Sequence, residues 1–128
     1  MALLLDTQII IWLESDKRKI PATISDAISQ ASEVFFSKVS IWEMSIKLSI
    51  GKLELNQSLQ TFTRNFSQDY GFHLLEIDLQ HIYASQFLPV HHRDPFDRLL
   101  IAQSLTEKMP IVSSDELFDL YQVHRIWK

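Results

Sequence analysis

Four carboxylic acids, Asp6, Glu43, Asp97 and Asp115, stand where short apolar runs give way to helix-starting stretches. If folding gathers them, they repel: two like charges about 4 Å apart cost roughly 4 kcal/mol at an effective dielectric near 20. Such a cluster either takes up protons or is joined by a divalent cation. Hard oxygen donors, with no cysteine and no clear histidine set beside them, suit Mg²⁺ or Mn²⁺. Both ions keep waters and accept phosphate oxygens. The chemistry that follows is phosphodiester hydrolysis, with one metal activating water and a second able to stabilise the leaving oxygen. No covalent protein intermediate is required.

Each acid also has an ordinary use at a helix start. Ser40-Ile41-Trp42-Glu43 has the spacing of a capping box, in which Glu43 reaches back to the Ser40 backbone. Asp94-Pro95-Phe96-Asp97 fits an N-cap, a proline at the first helical position and an acid in the first turn, which makes Asp94 a cap rather than a ligand. Asp6 before Thr7, Asp115 after Ser113-Ser114, and Asp78 before Leu79 read equally well as caps. Taken singly, none of the four acids decides between capping and chemistry.

The elements that must position them alternate. Apolar runs at Leu3–Leu5, Val34–Phe36, His73–Ile77, Ile111–Val112 and Val123–Ile126 read as strands. Between and after them, helices are expected over Thr7–Glu14, Ala22–Ala31, Ile41–Ile50, Leu59–Asp69, Leu79–Phe87, Pro95–Glu107 and Glu116–Tyr121. The first is the least decisive, because Ile9–Leu13 is unbroken apolar sequence that also suits a strand; Asp6-Thr7 as a helix-start signal favours a helix. Such alternation predicts an α/β fold with a mostly parallel sheet, in which ligands bind at the carboxyl ends of the strands. All four acids fall at or near that edge, with Glu43 expected in the first turn of the helix after the second strand. Gly51 and Gly71 read as punctuation after helices.

Composition narrows the class. A length of 128 residues with 46% hydrophobic residues is sufficient for one domain, 1–128, with a real core. Without cysteine there is neither a disulfide framework nor a thiolate metal site. The opening Met-Ala-Leu-Leu-Leu-Asp has no basic leader, and its apolar run is too short to span a membrane, so a cytoplasmic protein without membrane association is expected. A formal net charge of −4 speaks against holding nucleic acid on a broad basic surface, but not against an acidic pocket that holds cations. Lys47 lies one turn after Glu43, where an ion pair forms or a substrate phosphate is met. Arg93, Arg98, Lys47, Lys52 and Arg64 either rim a groove for RNA or form a solvated face. His91, His92 and Asp94 do not make a zinc site, since adjacent histidines point different ways and no third has a helpful spacing.

In order and combination, several stretches resemble the PIN-domain proteins of the VapC toxin type over essentially the whole chain. They are Leu-Leu-Leu-Asp-Thr at 3–7, Val-Ser-Ile-Trp-Glu-Met-Ser-Ile-Lys at 39–47, Gly-Lys-Leu-Glu-Leu at 51–55, Asp-Pro-Phe-Asp-Arg-Leu-Leu-Ile-Ala-Gln at 94–103 and Val-Ser-Ser-Asp at 112–115. The stretch at 94–103 is the most distinctive. By position, Asp6, Glu43 and Asp97 match the family's acidic triad and Asp115 its more variable fourth acid. Ser113 stands where the family more often has threonine; its hydroxyl is kept, free to bond Asp115 or a metal water. The resemblance implies a PIN-like sheet of four or five strands with helices on both faces and Mg²⁺- or Mn²⁺-dependent endonucleolytic cleavage of an RNA substrate. It also implies a toxin that forms a homodimer and pairs with a small antitoxin whose tail, often through an arginine, blocks the acidic pocket.

Other classes fit less well. A receiver-like signalling domain, with Asp78 as phosphate acceptor, would want paired acids after the first strand, where Asp6 is followed by Thr7-Gln8. A phosphatase with an aspartyl nucleophile would want an Asp at position 8. A PIN fold reduced to binding RNA or a protein partner would not need all four acids.

Overall fold

Leu3, Leu4 and Leu5 are all fully buried, the mark of a strand covered on both faces. The computed structural model describes residues 1–127, and in it this strand, β1 (Ala2–Leu5), is the centre of a five-stranded sheet. The other strands are β2 (Glu33–Ser37), β3 (His73–Leu75), β4 (Ile111–Val112) and β5 (Arg125–Ile126), in the spatial order β3-β2-β1-β4-β5. Every neighbouring pair is parallel. The chain winds outward from β1 to β2 and β3, then crosses back to β4 on the other side, so the switch in direction falls between β1 and β4.

Six α-helices cover the sheet: α1 (Thr7–Ser15), α2 (Ala22–Gln30), α3 (Lys38–Ser49), α4 (Leu59–Gln68), α5 (Leu79–Gln86) and α6 (Pro95–Glu107). Leu3, Leu5, Val34 and Phe36 pack with Ile9, Ile10, Ile24, Ile28, Phe62 and Phe66 on one face. On the other, Leu4 and Ile111 pack with Leu100, Ile101 and Phe118. α3 serves both layers, through Met44 to the first and Val39 to the second. The expected α/β class, parallel sheet and two helical layers are therefore present.

Differences lie at the ends of elements. Ile9–Leu13 is helical, so the helix-start signal prevailed over β-branching: the Asp6 carboxylate caps α1 by accepting the Ile9 N–H at 3.0 Å. α3 starts at Lys38, a turn before the expected Ile41, because Ser37 caps it by accepting the Val39 N–H. The segment after Asp115 is a 3₁₀ helix (Glu116–Leu120) and not an α-helix, and a short 3₁₀ turn at Lys17–Lys19 was not expected. β3 stops at Leu75, two residues short of the expected Ile77. Gly51 and Gly71 adopt positive φ after α3 and α4, as punctuation requires. Lys108 takes the same left-handed conformation at the end of α6 without a glycine.

Candidate metal site at the switch point of the sheet

The switch between β1 and β4 opens a crevice at the carboxyl edge of the sheet, the usual ligand position in an open parallel fold. A cavity of about 250 Å³ sits there, lined by Asp6, Glu43, Asp97 and Asp115 with Thr7, Lys47 and Asp94 among its other walls. The four acids expected from the sequence thus share one pocket. A larger cavity, about 560 Å³, lies at the opposite edge of the sheet between the starts of β2 and β3; it holds one carboxylate, Glu33, and no comparable cluster.

Each acid is delivered by a different element. Asp6 follows β1 and is buried, one carboxylate oxygen capping α1. Burial pushes its pKa up to about 6, against hydrogen bonds from Ser113 and the Ile9 N–H that favour the charged form; repulsion from Asp115 and Glu43 adds to the rise. Glu43 lies in the second turn of α3, not the first. The capping box expected between Ser40 and Glu43 does not form, because the helix has already begun at Lys38. Glu43 turns inward instead: Thr7 Oγ1 donates to its Oε1 at 2.7 Å, and Lys47 Nζ pairs with its Oε2 at 2.7 Å. Thr7 Oγ1 also lies 2.9 Å from Ser40 Oγ, tying α1 to α3.

Asp94 and Asp97 divide the two uses of an acid at a helix start. Asp94 Oδ1 accepts the N–H groups of Phe96 and Asp97 at 2.8 and 3.3 Å, so it is the cap of α6. Asp97, relieved of capping, projects into the pocket. Its pKa is pushed up to about 8, first by burial and then by Asp94, Glu43, Asp6 and Asp115. Asp115 follows β4 and caps the 3₁₀ helix through Oδ1, which accepts the Leu117 N–H at 2.9 Å. Ser113 is buried beneath it, its hydroxyl accepting the Asp115 N–H at 3.0 Å.

Of the basic residues read as a possible rim, Lys47 reaches the pocket, and its pKa is raised chiefly by the hydrogen bond to Glu43, so it stays a cation. Arg98 does not: its guanidinium donates to the carbonyls of Ser85, Leu88 and Pro89 and clamps the loop before α6.

His92 belongs to the site and was missed. Its Nε2 lies 2.9 Å from Asp97 Oδ2 and 3.2 Å from Asp115 Oδ2. Spacing groups it with His91 and Asp94; the loop turns instead, so that His92 faces residues 5 and 23 positions ahead. A histidine two residues before an N-cap aspartate was the available signal.

The donor set fits a hard divalent cation. Four carboxylates line one pocket, Asp97 and Asp115 within 4.8 Å of each other, two of the four have raised pKa values that a cation would reverse, and no thiolate is near. Asp6, Glu43, Asp97 and Asp115 each keep lone pairs beyond those already used.

Several solved structures share this architecture. The chain is similar, at TM-score 0.75 and 12% identity over 100% of both chains, to one in VapBC2 from Rickettsia felis bound to a promoter DNA fragment. It is similar at TM-score 0.68 and 14% identity, covering 97% of this chain and 96% of the other, to one in FitAcB from Neisseria gonorrhoeae. A chain of VapBC-1 from nontypeable Haemophilus influenzae aligns at TM-score 0.68 and 18% identity over 98% and 97%. At these identities the likeness concerns the fold. No curated protein matches the sequence as a relative. The family model of the PIN domain matches residues 3–123, nearly the whole of a chain whose acids meet at the switch point of its sheet, and the chain belongs to the PIN-domain family.

Proposed function

We propose that this chain is a divalent-metal-dependent endoribonuclease, the toxin of a toxin–antitoxin pair. The observation that carries the chemistry is the convergence of Asp6, Glu43, Asp97 and Asp115 at one crevice, with Asp97 free of the capping that its neighbour Asp94 performs. These four carboxylates would hold Mg²⁺ or Mn²⁺, which would supply Lewis-acid activation of water and charge stabilisation for attack on a phosphodiester.

The chain's own residues do the rest. Thr7 and Lys47 fix the two oxygens of Glu43, so its carboxylate cannot swing out of the pocket. Lys47 Nζ, about half-exposed beside Asp94 and Asp97, stands where a phosphate oxygen would approach the acids. Asp6 is anchored by the start of α1, and Ser113 steadies both Asp6 and Asp115. Hydrolysis forms a bond from a water oxygen to phosphorus and breaks one ester P–O bond, leaving no trace on the protein.

The toxin reading is supported by the family and by neighbours described as VapBC and FitAB complexes. The antitoxin, a small protein, covers α3 beside the pocket, where Trp42, Ile46 and Ile50 are exposed next to Glu43 and Lys47. A homodimer forms along α5 and the segment that follows it, where Leu79, Ile82, Tyr83, Phe87 and Val90 leave apolar side chains in solvent, Phe87 81% exposed. No helix is long and apolar enough to cross a membrane among the described residues.

Purified chain, free of any antitoxin, incubated with a structured RNA pool tests this reading. Cleavage with Mg²⁺ or Mn²⁺, lost on adding EDTA, is the expected result. Metal-independent cleavage, or cleavage of DNA in preference to RNA, would contradict it.

A further inference from the structure

The loop before α6 is held by an unusual share of side-chain hydrogen bonds. Tyr121 Oη accepts the backbone N–H groups of His91 and His92 at 3.2 and 2.8 Å and donates to the Pro89 carbonyl at 2.9 Å. Arg98 donates to four carbonyls of the same loop and its approach, that of His92 among them. What this clamping delivers is one imidazole, set against two carboxylates of the pocket. The His92 side chain is 11% exposed, lies edge-on to Phe118, and reaches both Asp97 and Asp115.

The ring's orientation determines what it can do. The Asp94 N–H donates to His92 Nδ1 at 3.2 Å, so Nδ1 is an acceptor and the ring proton is on Nε2. That N–H points at Asp115 Oδ2 and lies beside Asp97 Oδ2. Ligating a metal through Nε2 would require the proton on Nδ1, where it would oppose the Asp94 N–H. The geometry therefore makes His92 a donor to carboxylates and not a ligand.

Resting on the reading of this pocket as a metal site, we propose that His92 is its positioning residue. The N–H that bonds Asp115 Oδ2 sits 2.9 Å from Asp97 Oδ2, so one imidazole keeps the two carboxylates side by side and presets them for the cation. Residues of this kind, which bond to ligands without touching the metal, typically govern affinity by about 10- to 100-fold.

The test is Mn²⁺ binding by calorimetry and pulsed electron paramagnetic resonance on the full chain, for wild type, His92→Phe and His92→Gln. His92→Phe is expected to weaken Mn²⁺ binding about 10-fold or more. His92→Gln, which restores an amide N–H donor, recovers part of that loss, while the wild-type spectrum shows no directly bound ¹⁴N. A Phe variant that binds Mn²⁺ as wild type does would overturn the proposal, and so would a directly coordinated imidazole nitrogen. The spectrum alone keeps the question decidable should the Phe variant not fold. Wild type that binds no Mn²⁺ at all refutes the metal-site reading itself, whereas normal wild-type binding with an indifferent His92 refutes only this inference.

Discussion

Asp97 and Asp94, three residues apart on one helical turn, are chemically the same and do different work. Asp94 caps α6, so Asp94→Ala should lower stability by about 1 kcal/mol. Asp97 makes no such bond, and its neighbours hold its pKa near 8 by burial and repulsion. Between about pH 4 and pH 8 the folded, metal-free chain keeps a proton on Asp97 that the unfolded chain has released. Stability therefore falls as pH rises through that window, and Asp6, with a pKa of about 6, adds the same sign over its lower half. With EDTA present, calorimetry should give a melting temperature at pH 8 lower than at pH 5 by about 5 °C or more. Asp97→Asn should flatten that slope and raise the pH 8 value, while reducing metal-dependent cleavage by at least about 100-fold. A capping residue would behave the opposite way, losing stability on substitution. This division was only half legible beforehand. Asp94-Pro95 announced its cap, but whether Asp97 points in or out depends on burial that spacing does not encode. Glu43 was misplaced by a turn because Ser40 offered a plausible cap, while Ser37, three residues earlier and at the end of a strand, took the role.

The elements themselves were largely readable because their signals are local. Leu3-Leu4-Leu5 and Ile111-Val112 are apolar without alternation, as strands buried on both faces must be, and the Asp-Pro start of α6 fixes its first turn. Cross-element networks left no such trace. Ser37 Oγ, at the end of β2, donates to Gln103 Oε1 at 2.6 Å, and Gln103 Nε2 donates to the Glu76 carbonyl at 3.1 Å, joining β2, α6 and the end of β3 through a fully buried glutamine. His81 Nε2 pairs with Glu107 Oε2 at 2.8 Å and its Nδ1 accepts the Asp78 N–H, so Asp78 starts α5 as expected, with a histidine where a capping box more often has Glu or Gln. Gln103→Leu leaves the Ser37 hydroxyl and the Glu76 carbonyl without their partner. It should cost about 1–3 kcal/mol in denaturant unfolding with metal affinity little changed, because none of the network's residues lines the pocket. A large loss of Mn²⁺ binding in that variant would show that the brace and the site are not separable.

For the whole molecule, the order β3-β2-β1-β4-β5 brings together acids that are distant in sequence. Strand order was not readable from the chain, since alternation implies a parallel sheet but not which strand stands beside β1. The acids that end β1 and β4 meet because those strands are neighbours, paired at Leu4–Ile111 and Leu5–Val112. The same view accounts for a net charge of −4 in a protein proposed to act on RNA. Affinity for the backbone is expected to come from the cation in the crevice and Lys47 rather than from a basic surface, so binding should depend on divalent ions more steeply than on monovalent salt. The exposed apolar side chains of α5 and the segment after it predict a dimer by light scattering, which Phe87→Glu together with Val90→Glu should shift toward monomer without unfolding it. The central claim is that Asp6, Glu43, Asp97 and Asp115 together hold a divalent cation, and Mn²⁺ calorimetry at pH 7 in two buffers of different ionisation enthalpy tests it most directly. Saturable binding with release of close to one proton, given up mainly by Asp97, and loss of that binding in Asp97→Asn, is the predicted result. Absence of binding by the folded wild-type chain, or binding that neither releases a proton nor responds to Asp97→Asn, would contradict it.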